Sequence, residues 1–373
     1  MIIGVPKEIK AKENRVSITP YGVRHLVNNN HTVYVEKSAG ANVGFTDENY
    51  KQEGAIILDS AEEVYKNSEI IVKVQAPQSS EYSLLKKNQI LFSSLHLDIN
   101  RELTKELLNK KITSISYEAV QSEDGKLPLL VPMSEIAGKM SIQVASNLLQ
   151  NNNNSNGILL SGVAGVPSGK VLIVGAGTAG YNAAKLACGI GADVYVTDID
   201  IDKLRELEEK PSLNIKTFLL NEAMLLDVTK EADVVICAVL VKDKKLPIII
   251  TEEMVKGMKK GSVIIDISID QGGVVETMDR ITTIDNPTFE KYGVIHYSVE
   301  NMPSCVARTA TIAMTNASMR YLEKIAEVGI INAIKDDLSL ARGITTFNGK
   351  ITNKKIANLL NLDYTEISGF IGF

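Results

Sequence analysis

Cysteine is scarce in this chain. Only three occur among 373 residues, Cys188, Cys237 and Cys305, with no CxxC and no Cys/His spacing, so neither a disulfide frame nor a metal site is expected. A reducing cytoplasm fits that usage. Long apolar runs are missing too: none reaches the roughly 18 residues of a membrane span, and MIIGVPKEIK lacks the charged-then-apolar order of a secretory signal. No membrane partner is expected. Nor does one sign of charge dominate. With 40 Lys and Arg against 45 Asp and Glu, the net charge is -5, and no basic stripe of the kind a nucleic acid backbone requires stands out.

What is present is ample material for burial. A hydrophobic share of 45% over 373 residues is too much chain for one ordinary core and points to two domains. Short β-rich runs occupy the first 120 residues: MIIGV, TVYVEK, AIIL, IIVKV, QILFSS and KITSISYE. Helix-like stretches such as TPYGVRHLVNNN and INRELTKELLNKK separate them, the alternation of a mostly parallel sheet. The same alternation restarts near residue 168 with KVLIVGAG, ADVYVTDID, EADVVICAVL, GSVIIDISID and GVIHYSV. The expected fold is therefore α/β, with two doubly wound, Rossmann-like domains. PMSEIAGKMSIQVASNLLQ joins them as a long helix, with Ser134 placed to cap its start. NNNNSN (151–156) reads as an exposed loop, and the chain from TATIAMTNASMRYLEKIAEVGI onward is helical by pattern.

GAGTAG places Gly175, Gly177 and Gly180 in GxGxxG spacing between a strand and a helix. In that context the glycines allow a tight turn, close approach of backbone to a pyrophosphate, and close packing of helix on sheet. The helix start offers free N–H groups to the phosphates. Asp198 ends the next strand, where a ribose-binding acid belongs, and so favours NAD over NADP. Lys203 and Arg205 pull the other way, because cations accommodate a 2′-phosphate. Taken alone, Asp198 has a lesser alternative as a solvated strand-end acid.

Ligands of open α/β sheets lie beyond the carboxyl ends of the strands. Those ends carry Arg15 after the first strand, Lys73 and Gln75 in EIIVKVQAPQ, His96 after the fifth and Glu118 after the sixth. Asp270 in IDQGG holds the matching place in the second half. Singly, each has a plain explanation as a surface cation, a structural histidine or a turn former. Together they offer an Arg fork for a carboxylate, a proton-exchanging His and an acid.

The stretches MIIGVPKEIKAKENRVSITP, LPLLVPMSEIAG, GAGTAGYNAA, DIDIDKLREL, AVLVKD, DISIDQGG and ENMPSCVARTAT resemble the alanine dehydrogenase and pyridine nucleotide transhydrogenase family over nearly the whole chain. The resemblance implies a substrate domain built from both chain ends (1–130 and 306–373) with the NAD-binding domain (131–305) inserted. It implies a homohexamer that uses NAD in the reversible oxidative deamination of L-alanine to pyruvate and ammonia. His96 would be the acid/base and Asp270 the second catalytic residue, while Arg15 would bind the substrate carboxylate and Met133 would line the pocket. Ser134, Thr178, Ala179, Asp198, Lys203, Val239, Leu240, Ile267, Arg280, Asn301 and Met302 would meet the cofactor beside the three glycines. Arg280 stands in a stretch, TMDRITT, that departs from the family's spacing, and Leu220 stands where the family offers a serine.

One departure falls in the substrate site. The family pattern KVKEP reads KVQAP here, which puts Gln75 where a lysine meets the substrate oxygen and resembles the transhydrogenase branch, which has an asparagine there. Exchange of a charged hydrogen bond for the neutral one that Gln75 donates is worth on the order of 1 to 2 kcal/mol, about 10-fold in rate. Lys73, on the same strand face, either leans into the vacated space or runs out to solvent. Gln75 also leaves open a same-fold enzyme acting on another amino or 2-oxo acid, or a transhydrogenase-like NAD(H)-binding protein.

Overall fold

The computed structural model describes residues 1–210, 213–241 and 246–371. Its strands, in chain order, are β1 (Ile2–Val5), β2 (Thr32–Glu36), β3 (Ile56–Leu58), β4 (Ile70–Val72), β5 (Ile90–Ser93) and β6 (Thr113–Ser116). There follow β7 (Lys170–Val174), β8 (Asp193–Asp198), β9 (Ile215–Leu219), β10 (Val234–Cys237), β11 (Val263–Asp266), β12 (Thr288–Lys291) and β13 (Val294–Tyr297). The last are β14 (Ile344–Phe347) and β15 (Lys350–Ile351). Two compact units result, one from Met1–Met133 with the segment from Val306 on, the other Ser134–Cys305.

The first unit's sheet runs β15-β14-β6-β5-β4-β1-β2-β3, and the second's runs β12-β13-β11-β10-β7-β8-β9. Each contains six parallel strands in the order third, second, first, fourth, fifth, sixth. That order reverses direction between the first and fourth strands, β1 and β4 in one unit and β7 and β10 in the other. Ligand sites of doubly wound sheets form at such a switch point, so both units carry one.

Central strands are apolar on both faces, as a sheet covered by helices requires. In β4, Ile70 and Val72 enter one buried cluster while Ile71 enters the other, the two-residue alternation of a pleated strand. β10 does the same with Val234 and Ile236 on one side and Val235 and Cys237 on the other. Beyond Val72 the backbone pairing continues through Lys73 N to Phe92 O and Ser94 N to Val74 O, which carries Lys73 and Gln75 along the sheet's carboxyl edge.

Two sequence expectations change. The joining helix spans Val131–Leu148, entered through a turn in which Leu127 O accepts from Leu130 N and Val131 N. Ser134 therefore sits inside the first turn and does not cap it. The C-terminal part is helical over Ala307–Asp336, with a break at Gly329 (φ of 77°, ψ of 159°), but it then adds the antiparallel hairpin β14–β15, paired on β6, before a further helix, Lys354–Leu360. The Asn348-Gly349 turn, with φ of 45° and 78°, was the readable signal for that hairpin. No helix among the described residues is long and apolar enough to cross a membrane.

Candidate active site

In the first unit the loop after β1 folds over the end of β4. Glu13 and Arg15, both buried, close on each other: Glu13 Oε1 accepts from Arg15 N at 3.0 Å and Nε at 2.7 Å, and Oε2 accepts from Nη2 at 2.5 Å. Arg15 Nη1 lies 3.3 Å from Met133 Sδ. Gln75, also buried, donates from Nε2 to Glu13 Oε2 at 3.0 Å, and Lys10 Nζ donates to Gln75 Oε1 at 3.5 Å. Arg15, Gln75 and Met133 are thus brought together. Glu13 and Lys10 join them unannounced.

Burial pushes the Glu13 carboxyl up, but the hydrogen bonds and charge of Arg15, with the amide of Gln75, outweigh it and leave Glu13 below the ordinary carboxylate range. Its folded value lies under its unfolded one, so it contributes stability above about pH 4.3 that is lost as pH falls through the folded value. Glu13→Gln is expected to flatten the acid limb of the stability curve, measured as urea midpoints between about pH 3 and 7. An acid limb identical to that of the native protein would contradict this.

Lys73 neither runs to solvent nor leans toward Gln75. Its side chain is 0% exposed, with Nζ 3.2 Å from Glu8 Oε2 and 3.0 Å from Glu81 Oε1. Glu81 also accepts from Tyr65 Oη at 3.0 Å and Gln78 N at 2.8 Å, and Glu8 Oε1 accepts from Val74 N at 2.6 Å. Burial alone would lower the Lys73 amine, but the two carboxylates hold it above the usual lysine range. Glu8 is raised by burial, against the pull of Lys73. The amine is committed to bracing the strand end.

His96 has φ of 46°, a left-handed backbone that histidine adopts only at some cost. Glu118 holds it there, its Oε1 accepting from His96 N at 2.6 Å and Leu95 N at 3.0 Å. The imidazole is exposed, so solvent and small solutes can reach it.

In the second unit, Gly175 follows β7 with φ of 104° and a Cβ there would lie 2.4 Å from Ala238 O. A Cβ on Gly180 would lie 1.8 Å from Gly175 O, whereas one on Gly177 would meet nothing within 4 Å. The turn is closed on itself at Gly180 and open at Gly177, the cradle that a pyrophosphate needs. Gly177 leads into the helix Thr178–Gly189, and Thr178 and Ala179 form its half-buried start. Asp198 Oδ2 accepts from Ala176 N at 2.7 Å and Oδ1 from Asp200 N at 2.9 Å, so this carboxylate braces the glycine turn. Lys203 Nζ stands 3.9 Å from Asp198 Oδ1.

Val239 and Leu240 follow β10, and Val239 N donates to Ser268 Oγ at 2.9 Å. Ile267 and Asp270 belong to the short helical turn Ile267–Gln271 after β11. Asp270 Oδ1 accepts from Asn301 N at 3.2 Å; Asn301 has φ of 55°, and its neighbour Met302 is buried. Arg280 is exposed and held by Asp279 Oδ1 at 2.7 Å over the Phe289 ring, lining a pocket of about 320 Å³ with Ile269 and Gly272. Leu220 offers its backbone N to Asp198 O at 3.0 Å, with no hydroxyl to add. Ser134 is half-buried on its helix.

Two family models match this chain. "Alanine dehydrogenase/PNT, N-terminal domain" covers residues 4–137 and "Alanine dehydrogenase/PNT, C-terminal domain" covers 141–354. The chain belongs to the alanine dehydrogenase/PNT family. Among its relatives are alanine dehydrogenases of Staphylococcus saprophyticus, 48% identical over 98% of this chain and 99% of that one, and of Methanococcus maripaludis, 49% identical over 98% of both. That of Bacillus subtilis is 48% identical over 98% and 96%. A solved L-alanine dehydrogenase superposes with a TM-score of 0.94 at 42% identity, covering 97% of this chain and 99% of its own. A transhydrogenase from Sinorhizobium meliloti shares the fold at a TM-score of 0.80, 22% identical over 95% and 99%.

Glu8, Lys10, Glu13, Glu81 and Ser268 do not stand out in the sequence of this family member. Each is an ordinary polar residue in its local context. Only Glu13 had a readable signal, since a carboxylate two residues before a buried arginine can clamp it.

Proposed function

We propose that this protein is an NAD-dependent alanine dehydrogenase converting L-alanine reversibly to pyruvate and ammonia. The observation that carries the reading is the buried Glu13–Arg15–Gln75 set at the switch point of one sheet, with the open glycine turn at the switch point of the other. The turn at Gly175–Gly180, the start of the helix Thr178–Gly189 and Asp198 would hold NAD, which would supply the hydride acceptor when bound. Arg15, fixed by Glu13, binds the substrate carboxylate. Gln75 donates a neutral hydrogen bond to the substrate oxygen, with Met133 against the small side chain. His96 moves the protons as water adds and ammonia leaves, with Asp270 as the second acid. Assembly as a homohexamer in the cytoplasm belongs to the same reading.

The test is NADH formation from L-alanine, compared with other amino acids and with NADP. Native protein should prefer L-alanine and NAD, and His96→Asn should lower kcat by about 100-fold or more. NADH formed with another amino acid and not with alanine would favour a same-fold enzyme of different substrate, the reading that Gln75 supports.

A further inference from the structure

Gln75 brings an amide to a place crowded with charge. Three carboxylates, Glu8, Glu13 and Glu81, share two buried cations, Arg15 and Lys73. An anionic substrate entering here adds a fourth negative charge. Arg15 is already clamped by Glu13 through Nε and Nη2, and Lys73 lies between two carboxylates, so a further cation in contact with Gln75 matters. That cation is Lys10, exposed, on the loop after β1.

The orientation of the Gln75 amide follows from its two neighbours. Its Nε2 donates to Glu13 Oε2 at 3.0 Å and its Oε1 accepts from Lys10 Nζ at 3.5 Å. The opposite orientation would face an NH2 to an ammonium and a carbonyl to a carboxylate, unfavourable at both ends. Lys10 therefore polarises the amide: charge at the carbonyl oxygen makes the N–H a stronger donor, and hydrogen bonds assisted by a charge are about twice as strong as neutral ones.

We propose that Lys10 is a positioning residue for the substrate, supplying through the Gln75 amide the positive charge that a lysine at position 75 would supply directly. The inference rests on the alanine dehydrogenase reading, because it takes the substrate to be an anionic amino or oxo acid at Arg15. Lys10 sets the orientation and donor strength of Gln75 and offsets the charge of an incoming carboxylate.

The experiment measures kcat and KM for L-alanine, and KM for NAD, in native protein, Lys10→Met, Lys10→Arg, Gln75→Lys and the double variant Lys10→Met/Gln75→Lys. Lys10→Met should lower kcat/KM for L-alanine about 10-fold while KM for NAD stays within about 2-fold, and Lys10→Arg should recover most of the loss. With lysine at position 75 the same Lys10→Met change should cost less than about 3-fold, since the charge is then supplied directly. Native kinetics in Lys10→Met, or an equal loss in both backgrounds, overturns the proposal. Lys10 is exposed, so its variants should fold, with melting temperatures matching the native protein. Turnover of L-alanine by native protein reads the functional assignment separately. An active native protein with an indifferent Lys10→Met removes this proposal alone, whereas an inactive native protein removes the assignment and this proposal with it.

Discussion

Lys73→Met should lower the stability of the protein by about 3 to 5 kcal/mol at pH 7, the cost of leaving a buried charge without its partner. Methionine fills much the same volume, so packing is not the main loss. Glu8 and Glu81, which the Lys73 amine bridges at 3.2 and 3.0 Å, would be left facing each other with no cation between them. Burial raises the Glu8 carboxyl even in the native protein, so in the variant it should rise further and take up a proton readily. The sign of the pH dependence follows. A carboxyl whose folded value exceeds its unfolded one is penalised in full at high pH, and the penalty fades as pH falls through the folded value. The deficit of Lys73→Met should therefore shrink from pH 7 toward pH 5. Lys73→Met/Glu8→Gln/Glu81→Gln should recover much of it, because a neutral set needs no counter-ion. With no tryptophan in the chain, the transition is best followed by far-ultraviolet circular dichroism in urea. A Lys73→Met midpoint equal to the native one at pH 7 would refute the bracing role.

The glycine turn offers the second large effect, and two glycines three residues apart should fail differently. Gly180→Ala forces a Cβ to within 1.8 Å of Gly175 O, a backbone atom that cannot move without opening the turn. Overpacking of this kind costs about 1 to 3 kcal/mol, and nucleotide affinity should fall with the distorted turn. Gly177 has φ of -70° and ψ of -170°, which any residue adopts, and a Cβ there meets nothing within 4 Å. Gly177→Ala should thus keep native stability within about 0.5 kcal/mol and still weaken NADH binding by about 10-fold or more, since the new methyl occupies the approach to the pyrophosphate. Melting temperature and NADH fluorescence titration separate the two. Equal stability in both variants, or native NADH affinity in Gly177→Ala, would count against this account of the turn.

Features that depend on a few consecutive residues were legible beforehand. The two-residue alternation of the β-rich runs located most strands, and GAGTAG between KVLIV and a helix located the nucleotide turn, because glycine spacing and apolar periodicity act over one strand and one helical turn. Arg15, Gln75 and Met133 were also named, the first two from their places after β-rich runs and Met133 from family likeness. Strands β9 and β12 were missed because each lies toward a sheet edge with mixed burial. The β14–β15 hairpin was missed because a helical pattern precedes it, although Asn348-Gly349 announced it.

The sequence by itself determined the two alternating α/β halves, the glycine turn and the identity of the amide at position 75. Only the tertiary structure decided what Lys73 and Gln75 do. Strand order makes β1 the neighbour of β4, and this lays Glu8, Lys10 and Glu13 against residues more than sixty positions away. Lys73 then meets two carboxylates in a dry interior and is held there by charge, while Gln75 falls between Glu13 and Lys10, which fix its amide by complementarity at both ends. Neither outcome could be read from KVQAP, because the partners that decide it come from another segment, and burial sets how strongly they bind.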